Sequence, residues 1–364
     1  MDWTRRRFGG TVAMGAMGAA WGLKPVLGAQ QPGRSLRFCI VGLGRISMQH
    51  FMPALRLSKY GRVTALVSGH RDKAEKMAAE YGVPARSIYS YQDYDSIVGN
   101  PEIDAVYIAL PNSMHAEYTI RAAKAGKHVL CEKPMATSAA DARAMVEACR
   151  AARRKLMIAY RCQFEPINLR AIGLIRSGKL GKVEAIGTGF GFNIGAGEWR
   201  LNRKLAGGGP LMDVGIYSLN ACRYLTGEEP VEVKGYSSVI DRDGRFAEVE
   251  ENLSWSMGFP SGAVASCSTT YGANMAGFFH VFGARGIIRV ENAFGYDGQH
   301  LTALVEGESP IDEASTERDP AHFPRLADHL AECVFDNKEP KTAGEEGLRD
   351  MQLMAAIYRS CQAA

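Results

Sequence analysis

The 364-residue sequence has no CxxC pair among its eight cysteines and no HExxH motif. Cysteines scattered in this way argue against a disulfide framework or a zinc site, so we expect buried free thiols and no bound metal. After the first 29 residues, no apolar run reaches the roughly 20 residues that a membrane-spanning helix needs. The 43 Lys and Arg residues are nearly balanced by 39 Asp and Glu residues. The charge therefore gives no indication of nucleic-acid binding.

The composition is that of a globular protein with a large core. Hydrophobic residues make up 46% of the chain and charged residues 23%, which excludes a disordered or low-complexity protein. At about 150 residues per domain, the length predicts two domains and a remainder.

The N-terminal segment has the features of a removable export signal. Arg5–Arg7 precede Phe8, a weakly apolar stretch follows over Gly9–Trp21, and the small pair Gly28 and Ala29 ends the segment. The paired arginines resemble the twin-arginine type of signal. We therefore predict a signal peptide at residues 1–29, a periplasmic location and no stable membrane association after processing. The alternative is a basic helix with frayed ends.

Residues 36–159 alternate short apolar runs with helical patterns, which is typical of βαβ units. This order predicts an α/β fold whose N-terminal domain is a Rossmann domain with a doubly wound parallel sheet. The predicted strands are Leu36–Val41, Val63–Val67, Ala105–Leu110, His128–Cys131 and Leu156–Ala159. The predicted helices are Met48–Lys59, Arg71–Tyr81, Met114–Ala125 and Ser138–Arg153.

Residues 160–364 contain longer β patterns, the clearest being Leu253–Phe259, where large apolar residues occupy every second position. This period predicts an α+β domain built on a large, mostly antiparallel open sheet with one buried face. We expect this domain to bind substrate and its open face to pack a partner subunit, giving a homodimer, which we favour, or a homotetramer. Further strands are predicted at Val231–Ile240, Ala263–Thr270, Phe278–Phe282 and Ile287–Val290, and helices at Pro166–Ser177, Phe323–Phe335 and Glu345–Cys361.

A glycine-rich turn follows the first predicted strand. Its sequence is Gly42-Leu43-Gly44-Arg45-Ile46-Ser47, a G-x-G-x-x-S variant of the dinucleotide fingerprint. The first glycine permits the tight turn, and the second lets the backbone approach a pyrophosphate. On the first strand of a parallel sheet, this motif indicates dinucleotide binding rather than a merely structural turn.

The end of the second predicted strand favours NADP over NAD. An NAD site is expected to have an acidic residue there for the ribose diol, whereas the first acid is Asp72, at the start of the next helix. Ser68, Arg71 and Lys73 could instead bind a 2′-phosphate. The alternative is that Arg71 and Lys73 belong to a solvated first turn.

Two further segments carry candidate catalytic residues. Lys133 follows the strand His128–Cys131, at the sheet edge where parallel sheets bind ligands, and Pro134 restricts the chain there. Asp213 and Tyr217 follow a glycine run, and their spacing of four places both on one face of a helix.

Together these segments resemble the Gfo/Idh/MocA family, and within it the branch of glucose-fructose oxidoreductase and related aldose oxidoreductases. The resemblance extends over nearly the whole chain after the predicted signal. Many relatives have His where this chain has Tyr217, and Tyr is the variant expected of this branch. The motifs that carry the resemblance are Gly42–Ser47, Pro111–His115, Glu132–Pro134, Tyr160–Arg161, Trp199–Leu201 and Asp213–Tyr217.

The resemblance implies an NADP-binding enzyme that acts on small-molecule sugars. The catalytic residues would be Tyr217, Lys133 and Asp213, and the substrate would also contact Tyr160 and Arg161, with Trp199 and Arg200 shaping the sugar pocket. The alternative for Tyr160 and Trp199 is that they are ordinary core aromatic residues. Besides Lys133, the expected cofactor-binding residues are Gly42, Leu43, Gly44, Arg45, Ile46, Ser68, Arg71, Lys73, Tyr91, Pro111, Asn112, His115, Glu132, Arg161, Trp199 and Arg200.

The expected reaction is oxidation of an aldose at C1, with Tyr217 as the base for the anomeric hydroxyl. Because a free phenol has a pKa of about 10, we expect the Lys133 ammonium to lower it and Asp213 to orient the substrate. The lactone leaves, and a second sugar, fructose or another aldose, is reduced to an alditol by tightly bound NADPH in a ping-pong cycle. The alternatives are an NADP-dependent sugar or diol dehydrogenase with exchangeable cofactor and a non-catalytic sugar-binding module.

Overall fold

The computed structural model describes residues 33–318 and 322–362. The predicted signal peptide at residues 1–29 lies outside these ranges, and so does its predicted cleavage site. Within the described residues, no helix is long and apolar enough to cross a membrane.

The first sheet confirms the predicted Rossmann fold. Its six strands are all parallel, in the order β3-β2-β1-β4-β5-β6. The sequence predicted five of them, and the sixth, β3, has only two residues, too few to produce a recognisable period. The strands are β1 Leu36–Val41, β2 Gly61–Val67, β3 Ile88–Tyr89, β4 Ala105–Ile108, β5 His128–Cys131 and β6 Leu156–Ile158.

The helices that connect these strands follow the predicted pattern, with one difference. The predicted helix Met48–Lys59 is instead a π-helical segment, Ile46–Phe51, that continues into a short α-helix. Pro53 contributes to this departure from a continuous α-helix, because it lacks the N–H that such a helix would use there. The α-helices are α1 Met52–Leu55, α2 Arg71–Tyr81, α3 Asn112–Lys124 and α4 Ala139–Ala151, and short 3₁₀ turns occur at Ala85–Ser87 and Tyr94–Gly99.

The second sheet has eight strands in the order β14-β13-β12-β11-β7-β10-β9-β8. It is mostly antiparallel, as predicted, and only β7 and β10 pair in parallel. Its strands are β7 Val183–Gly191, β8 Glu232–Ser238, β9 Asn252–Gly258, β10 Val264–Thr270, β11 Met275–Gly283, β12 Gly286–Glu291, β13 His300–Val305 and β14 Ile311–Ala314.

Strands β7, β13 and β14 were not predicted. The central strand β7 contains Gly187, Gly189 and Gly191, and glycine is depleted in strands, so the segment does not stand out as a strand. Strand β14 lies at the sheet edge and contains adjacent acidic residues, which are rare in strands.

The helices that follow residue 160 pack against both sheets. They are α5 Pro166–Arg176, α6 Arg203–Ala206, α7 Ile216–Thr226, α8 His322–Phe335 and α9 Gly344–Gln362, with 3₁₀ turns at Arg161–Phe164 and Trp199–Leu201 and a π-helical turn at Leu211–Gly215. The apolar face of α8, including Phe323 and Leu326, joins the core on one side of the Rossmann sheet. The C-terminal part of the chain therefore also contributes to the first domain.

Candidate active site

The glycine-rich turn joins β1 to the π-helical segment and has the shape that a dinucleotide needs. Gly42 has a φ of +95°, and a Cβ there would lie 2.4 Å from the Ala109 carbonyl oxygen. At the exposed Gly44 a Cβ would have no neighbour within 4 Å. The Ser47 hydroxyl donates a hydrogen bond to the Gly42 carbonyl at 2.6 Å. Glycine is thus required at the first position by the protein itself, whereas the second faces open space that a ligand can approach.

The predicted 2′-phosphate residues lie at the same edge but differ in availability. Ser68 is buried, and its hydroxyl is bonded to both backbone groups of His70. Arg71 is exposed and pairs with Glu75 at 2.8 Å. The exposed Lys73 ammonium lies 3.4 Å from the carbonyl oxygen of Leu43, in the glycine-rich turn. Two cations therefore border this edge, which fits a phosphorylated ribose, and the preference for NADP over NAD stays a prediction.

The residues predicted around the start of α3 mainly hold loops together. Asn112 donates to the Ala206 carbonyl at 2.8 Å, and Pro111 precedes the first turn of α3. The two ring nitrogens of buried His115 lie 2.8 Å from the Pro134 carbonyl oxygen and 2.9 Å from that of Leu110. Burial lowers the pKa of His115 to about 4. The His115 ring therefore joins the ends of two neighbouring strands, β4 and β5, at the predicted cofactor edge.

Tyr91 and Glu132 occupy two further places along this edge. Tyr91 packs close to Gly69, where an added Cβ would lie 3.2 Å from its ring. Glu132 accepts a hydrogen bond of 2.6 Å from the Tyr107 hydroxyl, and burial raises the pKa of its carboxyl. Tyr107 was not predicted as a site residue, because its position inside β4 is typical of a core aromatic residue.

Lys133, Asp213 and Tyr217 come together as the sequence predicted. The Lys133 ammonium donates to the backbone carbonyl of Asp213 at 2.7 Å and lies 3.5 Å from its carboxylate. The same nitrogen lies 4.5 Å from the centroid of the Tyr217 ring. The π-helical turn Leu211–Gly215 carries Asp213, and Tyr217 follows in the first turn of α7. The cluster thus joins the end of β5 in the first domain to a helix of the second.

The Asp213 carboxylate has two further partners. Its Oδ2 accepts a hydrogen bond of 3.0 Å from the Tyr271 hydroxyl and lies 3.0 Å from Nε of Arg200. Although burial alone would raise it, the positive charges of Lys133 and Arg200 lower the pKa of this carboxyl. The Arg200 guanidinium also lies over the Trp199 ring, at 4.8 Å from its centroid. Asp213 is therefore an ionised acceptor, with an arginine and a half-buried tryptophan beside it.

The ionisation of Tyr217 differs from the expectation. Burial raises the pKa of Tyr217 above its ordinary value, and the group that chiefly opposes this increase is the Arg161 guanidinium, not Lys133. The Arg161 carbon Cζ lies 5.2 Å from the centroid of the Tyr217 ring. The prediction that the pKa of Tyr217 is lowered was therefore wrong: burial raises it, and the side chain that chiefly opposes the increase is Arg161, which was predicted only to bind cofactor and substrate.

Tyr160 does not join the cluster. It is 3% exposed, and its hydroxyl faces the buried Asp350 carboxylate on α9, which together with burial raises the pKa of Tyr160. Its neighbour Arg161 faces Tyr217 instead. Tyr160 thus lies in the core, and the expectation that it lines the sugar pocket is corrected.

Two tyrosines that contact residues of the candidate site were missed by the sequence analysis: Tyr271, which bonds Asp213, and Tyr296, which contacts Arg161. Tyr271 directly follows β10, and Tyr296 lies between β12 and β13 in the glycine-containing loop Asn292–Gly298. Such a loop at the end of a strand is a general signal for a site, but it does not single out one residue. Among the described residues, no cluster of His, Cys, Asp and Glu could hold a metal ion.

Comparisons with known proteins agree with this architecture. The family model described as "Oxidoreductase family, NAD-binding Rossmann fold" of Gfo/Idh/MocA matches residues 36–160, and the "GFO/IDH/MocA C-terminal domain" matches residues 169–289. The chain is 32% identical over 335 residues to D-xylose 1-dehydrogenase (NADP(+)) of Haloarcula marismortui, covering 90% of this chain and 91% of the relative. It is 31% identical over 332 residues to D-xylose 1-dehydrogenase (NADP(+)) 2 of Haloferax volcanii, covering 90% and 98%.

A solved structure is similar over the same length. The aldose-aldose oxidoreductase from Caulobacter crescentus, complexed with glycerol, is 45% identical, with a TM-score of 0.87 and coverage of 91% of this chain and 98% of that chain. Levoglucosan dehydrogenase, at 21% identity and a TM-score of 0.81, shares the fold. Because family models match both the dinucleotide-binding and the C-terminal domains, the chain belongs to the Gfo/Idh/MocA family of oxidoreductases.

Proposed function

We propose that the protein is an NADP-dependent sugar oxidoreductase that oxidises an aldose at C1 to its lactone and reduces a second sugar to an alditol. The observation that carries this proposal is the cluster of Lys133, Asp213 and Tyr217 at the carboxyl end of β5. The 45% identity to an aldose-aldose oxidoreductase supports the choice of aldose as substrate.

The chain's own residues fit both the cofactor and the proton transfer. The turn at Gly42 and Gly44 would hold the pyrophosphate, and Arg71 and Lys73 would bind a 2′-phosphate. When bound, NADP accepts hydride from the sugar at C4 of its nicotinamide. Tyr217 takes the proton of the anomeric hydroxyl as the C1–O bond becomes the lactone carbonyl.

The second half-reaction uses the same residues in the opposite direction. The carbonyl carbon of the second sugar receives the hydride, and Tyr217 returns its proton to the carbonyl oxygen, so that the protein regains its starting state. Asp213 accepts hydrogen bonds from sugar hydroxyls, and its pairing with Lys133 and Arg200 keeps it ionised. The half-buried Trp199 beside Arg200 offers an apolar surface suited to a sugar ring.

A retained cofactor is the feature that distinguishes this cycle from an ordinary dehydrogenase. The test is to purify the protein without added nucleotide and record the reduced-nicotinamide absorbance band while adding sugars. We expect an aldose alone to produce the band once and a second sugar to remove it, with no nucleotide in the filtrate. Absence of bound nucleotide would contradict the internal cycle.

An NADP-dependent sugar dehydrogenase with exchangeable cofactor is the second candidate, and the identity to two D-xylose 1-dehydrogenases favours it. It predicts steady turnover of a single aldose that depends on added NADP. A non-catalytic sugar-binding module predicts no absorbance change under either condition.

The preference for NADP rests on Arg71 and Lys73. Replacing both by serine should weaken NADP binding by at least about tenfold while leaving NAD binding within about threefold, because only NADP has the 2′-phosphate. Titration of each nucleotide by calorimetry measures both affinities. Equal losses for the two nucleotides would contradict the assignment.

The predicted periplasmic location and the predicted homodimer are tested separately from the reaction. The arginine-rich N-terminus supports export to the periplasm, which cell fractionation with an Arg5→Lys and Arg6→Lys variant would test.

Exposed apolar residues on the open face of the second sheet support a homodimer through that face; they are Tyr236, Val264, Phe282 and Leu304. A Val264→Glu variant should then be monomeric in sedimentation analysis.

A further inference from the structure

The loop Asn292–Gly298 brings Tyr296 from the second domain to the dinucleotide-binding domain. The Tyr296 ring stacks on the His50 ring, with centroids 4.2 Å apart and an angle of 11° between the planes. His50 belongs to the π-helical segment that directly follows the glycine-rich turn. Tyr296 thus connects the two domains beside the predicted cofactor edge.

Arg161 continues this series of contacts to Tyr217. Its Cζ lies 4.3 Å from the centroid of the Tyr296 ring and 5.2 Å from that of Tyr217. Its two terminal nitrogens donate to the carbonyls of Phe294 at 2.6 Å and Gly295 at 2.8 Å. His50, Tyr296, Arg161 and Tyr217 are thus in contact one after another.

The loop backbone is held independently of the Tyr296 ring. The Tyr296 carbonyl oxygen lies 2.8 Å from Nε2 of His322, and the Gly295 carbonyl also accepts from Gln299 at 2.9 Å. Asn292 donates to the Asp297 carbonyl at 2.6 Å. Removal of the ring alone should therefore leave the loop in place, so a change at Tyr217 can be assigned to the ring.

We propose that Tyr296 is a positioning residue of the reaction, holding the Arg161 guanidinium against Tyr217 and linking that contact to His50 of the dinucleotide-binding domain. The inference rests on the proposed function, in which Tyr217 is the acid/base. Tyr296 acts on Tyr217 through Arg161. Its own side chain is 38% exposed.

The charge around Tyr217 explains why the position of Arg161 matters. The charged or titratable groups that face Tyr217 are Lys133, Arg161, Asp213, Glu132, Cys162 and Tyr296. Arg161 chiefly opposes the increase that burial causes in the pKa of Tyr217. Without the Tyr296 ring the guanidinium keeps its hydrogen bonds to the Phe294 and Gly295 carbonyls but loses the aromatic contact. Its charge then acts less strongly on Tyr217, and the pKa of Tyr217 rises further.

The experiment compares Tyr296→Ala with Tyr296→Phe by measuring kcat for aldose oxidation across pH. Oxidation needs deprotonated Tyr217, and because burial raises the pKa of Tyr217 above its ordinary value, kcat should still be rising with pH at the upper end of the measured range. Below that pKa a further increase lowers the phenolate fraction by the same factor at every pH, so Tyr296→Ala should lower kcat by about threefold or more throughout and leave KM within about twofold. Tyr296→Phe keeps the ring and should retain the wild-type profile.

His300→Ala is the matched control, since His300 lies on β13 and pairs with Asp312 outside the cleft; it should leave the profile unchanged. If Tyr296→Ala keeps the wild-type kcat, changes KM as much as kcat, or behaves like Tyr296→Phe, the positioning role is wrong while the proposed function stands. If the wild-type protein transfers no hydride from any sugar, the proposed function fails, and the positioning role fails with it.

Discussion

The Lys133 ammonium nitrogen lies 4.5 Å from the centroid of the Tyr217 ring. A cation over an aromatic face stabilises the arrangement of the two side chains, and Lys133 also bonds the backbone of Asp213 at 2.7 Å. Lys133 therefore fixes the position of the π-helical turn that carries Asp213 and also the position of the Tyr217 ring. The side chain that chiefly opposes the effect of burial on the phenol is Arg161, which approaches from the second domain.

Tyr217→Phe should abolish most of the oxidoreductase activity without unfolding the protein. The variant keeps the ring and its stacking on Phe294 but removes the group that exchanges the proton, which should lower kcat by about 10²- to 10⁴-fold. Stopped-flow measurement of the reduced-nicotinamide band after sugar addition gives the rate of the chemical step.

Tyr224→Phe is the control for this variant. Tyr224 lies on the same helix and is also buried, and its hydroxyl has no hydrogen-bond partner among the described residues. Its loss should change kcat by less than about twofold, because the hydroxyl contributes no hydrogen bond. Comparable losses in both variants would show that the effect of Tyr217→Phe is structural.

The sequence predicted those parts of the site that depend on local pattern. The turn at Gly42–Ser47 and the strand end at Lys133 are local features, because the carboxyl ends of parallel strands share one sheet edge. The spacing of Asp213 and Tyr217 likewise requires only a helical period. All three parts lie where these patterns predicted.

The remaining site residues depend on tertiary packing. Tyr271 reaches Asp213 across 58 residues of sequence, and no local period carries that information. Tyr160 and Arg161 are neighbours, yet the chain turns there into a 3₁₀ helix, so one side chain enters the core and the other enters the cleft. The pKa of Tyr217 was mispredicted because the position of Arg161 depends on its bonds to a distant loop.

The two glycines of the fingerprint should respond differently to alanine. Gly42→Ala places a Cβ 2.4 Å from the Ala109 carbonyl oxygen at a φ of +95°, so it should lower the free energy of unfolding by about 2 kcal/mol or more. Gly44→Ala meets no protein atom within 4 Å, so stability should be retained. NADP affinity should nevertheless fall by about tenfold, because the methyl group occupies the approach to the backbone.

Gly173→Ala provides the control for this pair. Gly173 lies within helix α5, and an added Cβ has open space there too, so the variant should be as stable as the wild type or slightly more so and bind NADP normally. Urea unfolding and nucleotide titration measure the two properties separately. Normal nucleotide affinity in Gly44→Ala would contradict the placement of the pyrophosphate.

The buried Arg223 holds helix α7, which begins beside the active site, against α9. It pairs with Asp350 at 2.6 Å, Glu346 at 2.9 Å and Glu229 at 2.7 Å. Arg223→Met would leave the fully buried Asp350 without its cation and should cost about 3–5 kcal/mol of unfolding free energy. Arg170→Met, which removes a surface pair with Glu313, should cost no more than about 1 kcal/mol. Similar losses in urea unfolding would contradict the buried network.

His115 should make the stability of the protein depend on pH below neutrality. Burial lowers its pKa from 6.5 to about 4 in the folded protein, so between these values the unfolded chain binds more protons than the folded one. The free energy of unfolding should therefore fall as the pH falls from about 6.5 to 4, by up to about 1.4 kcal/mol per pH unit for each such histidine. Half-buried His128 and buried His322, whose pKa values are lowered to about 4 and about 3, add to the slope.

The matched variants His115→Gln and His300→Gln isolate the contribution of His115. His115→Gln removes the titrating group, so its unfolding free energy should start lower at pH 7 and fall less steeply towards pH 4.5. His300→Gln removes a half-exposed histidine on β13 and should keep the wild-type slope. Urea unfolding at several pH values measures both. An unchanged slope in His115→Gln would mean that the ring is already protonated in the fold, donating to both Leu110 and Pro134, since each carbonyl lies within 3.0 Å of a ring nitrogen.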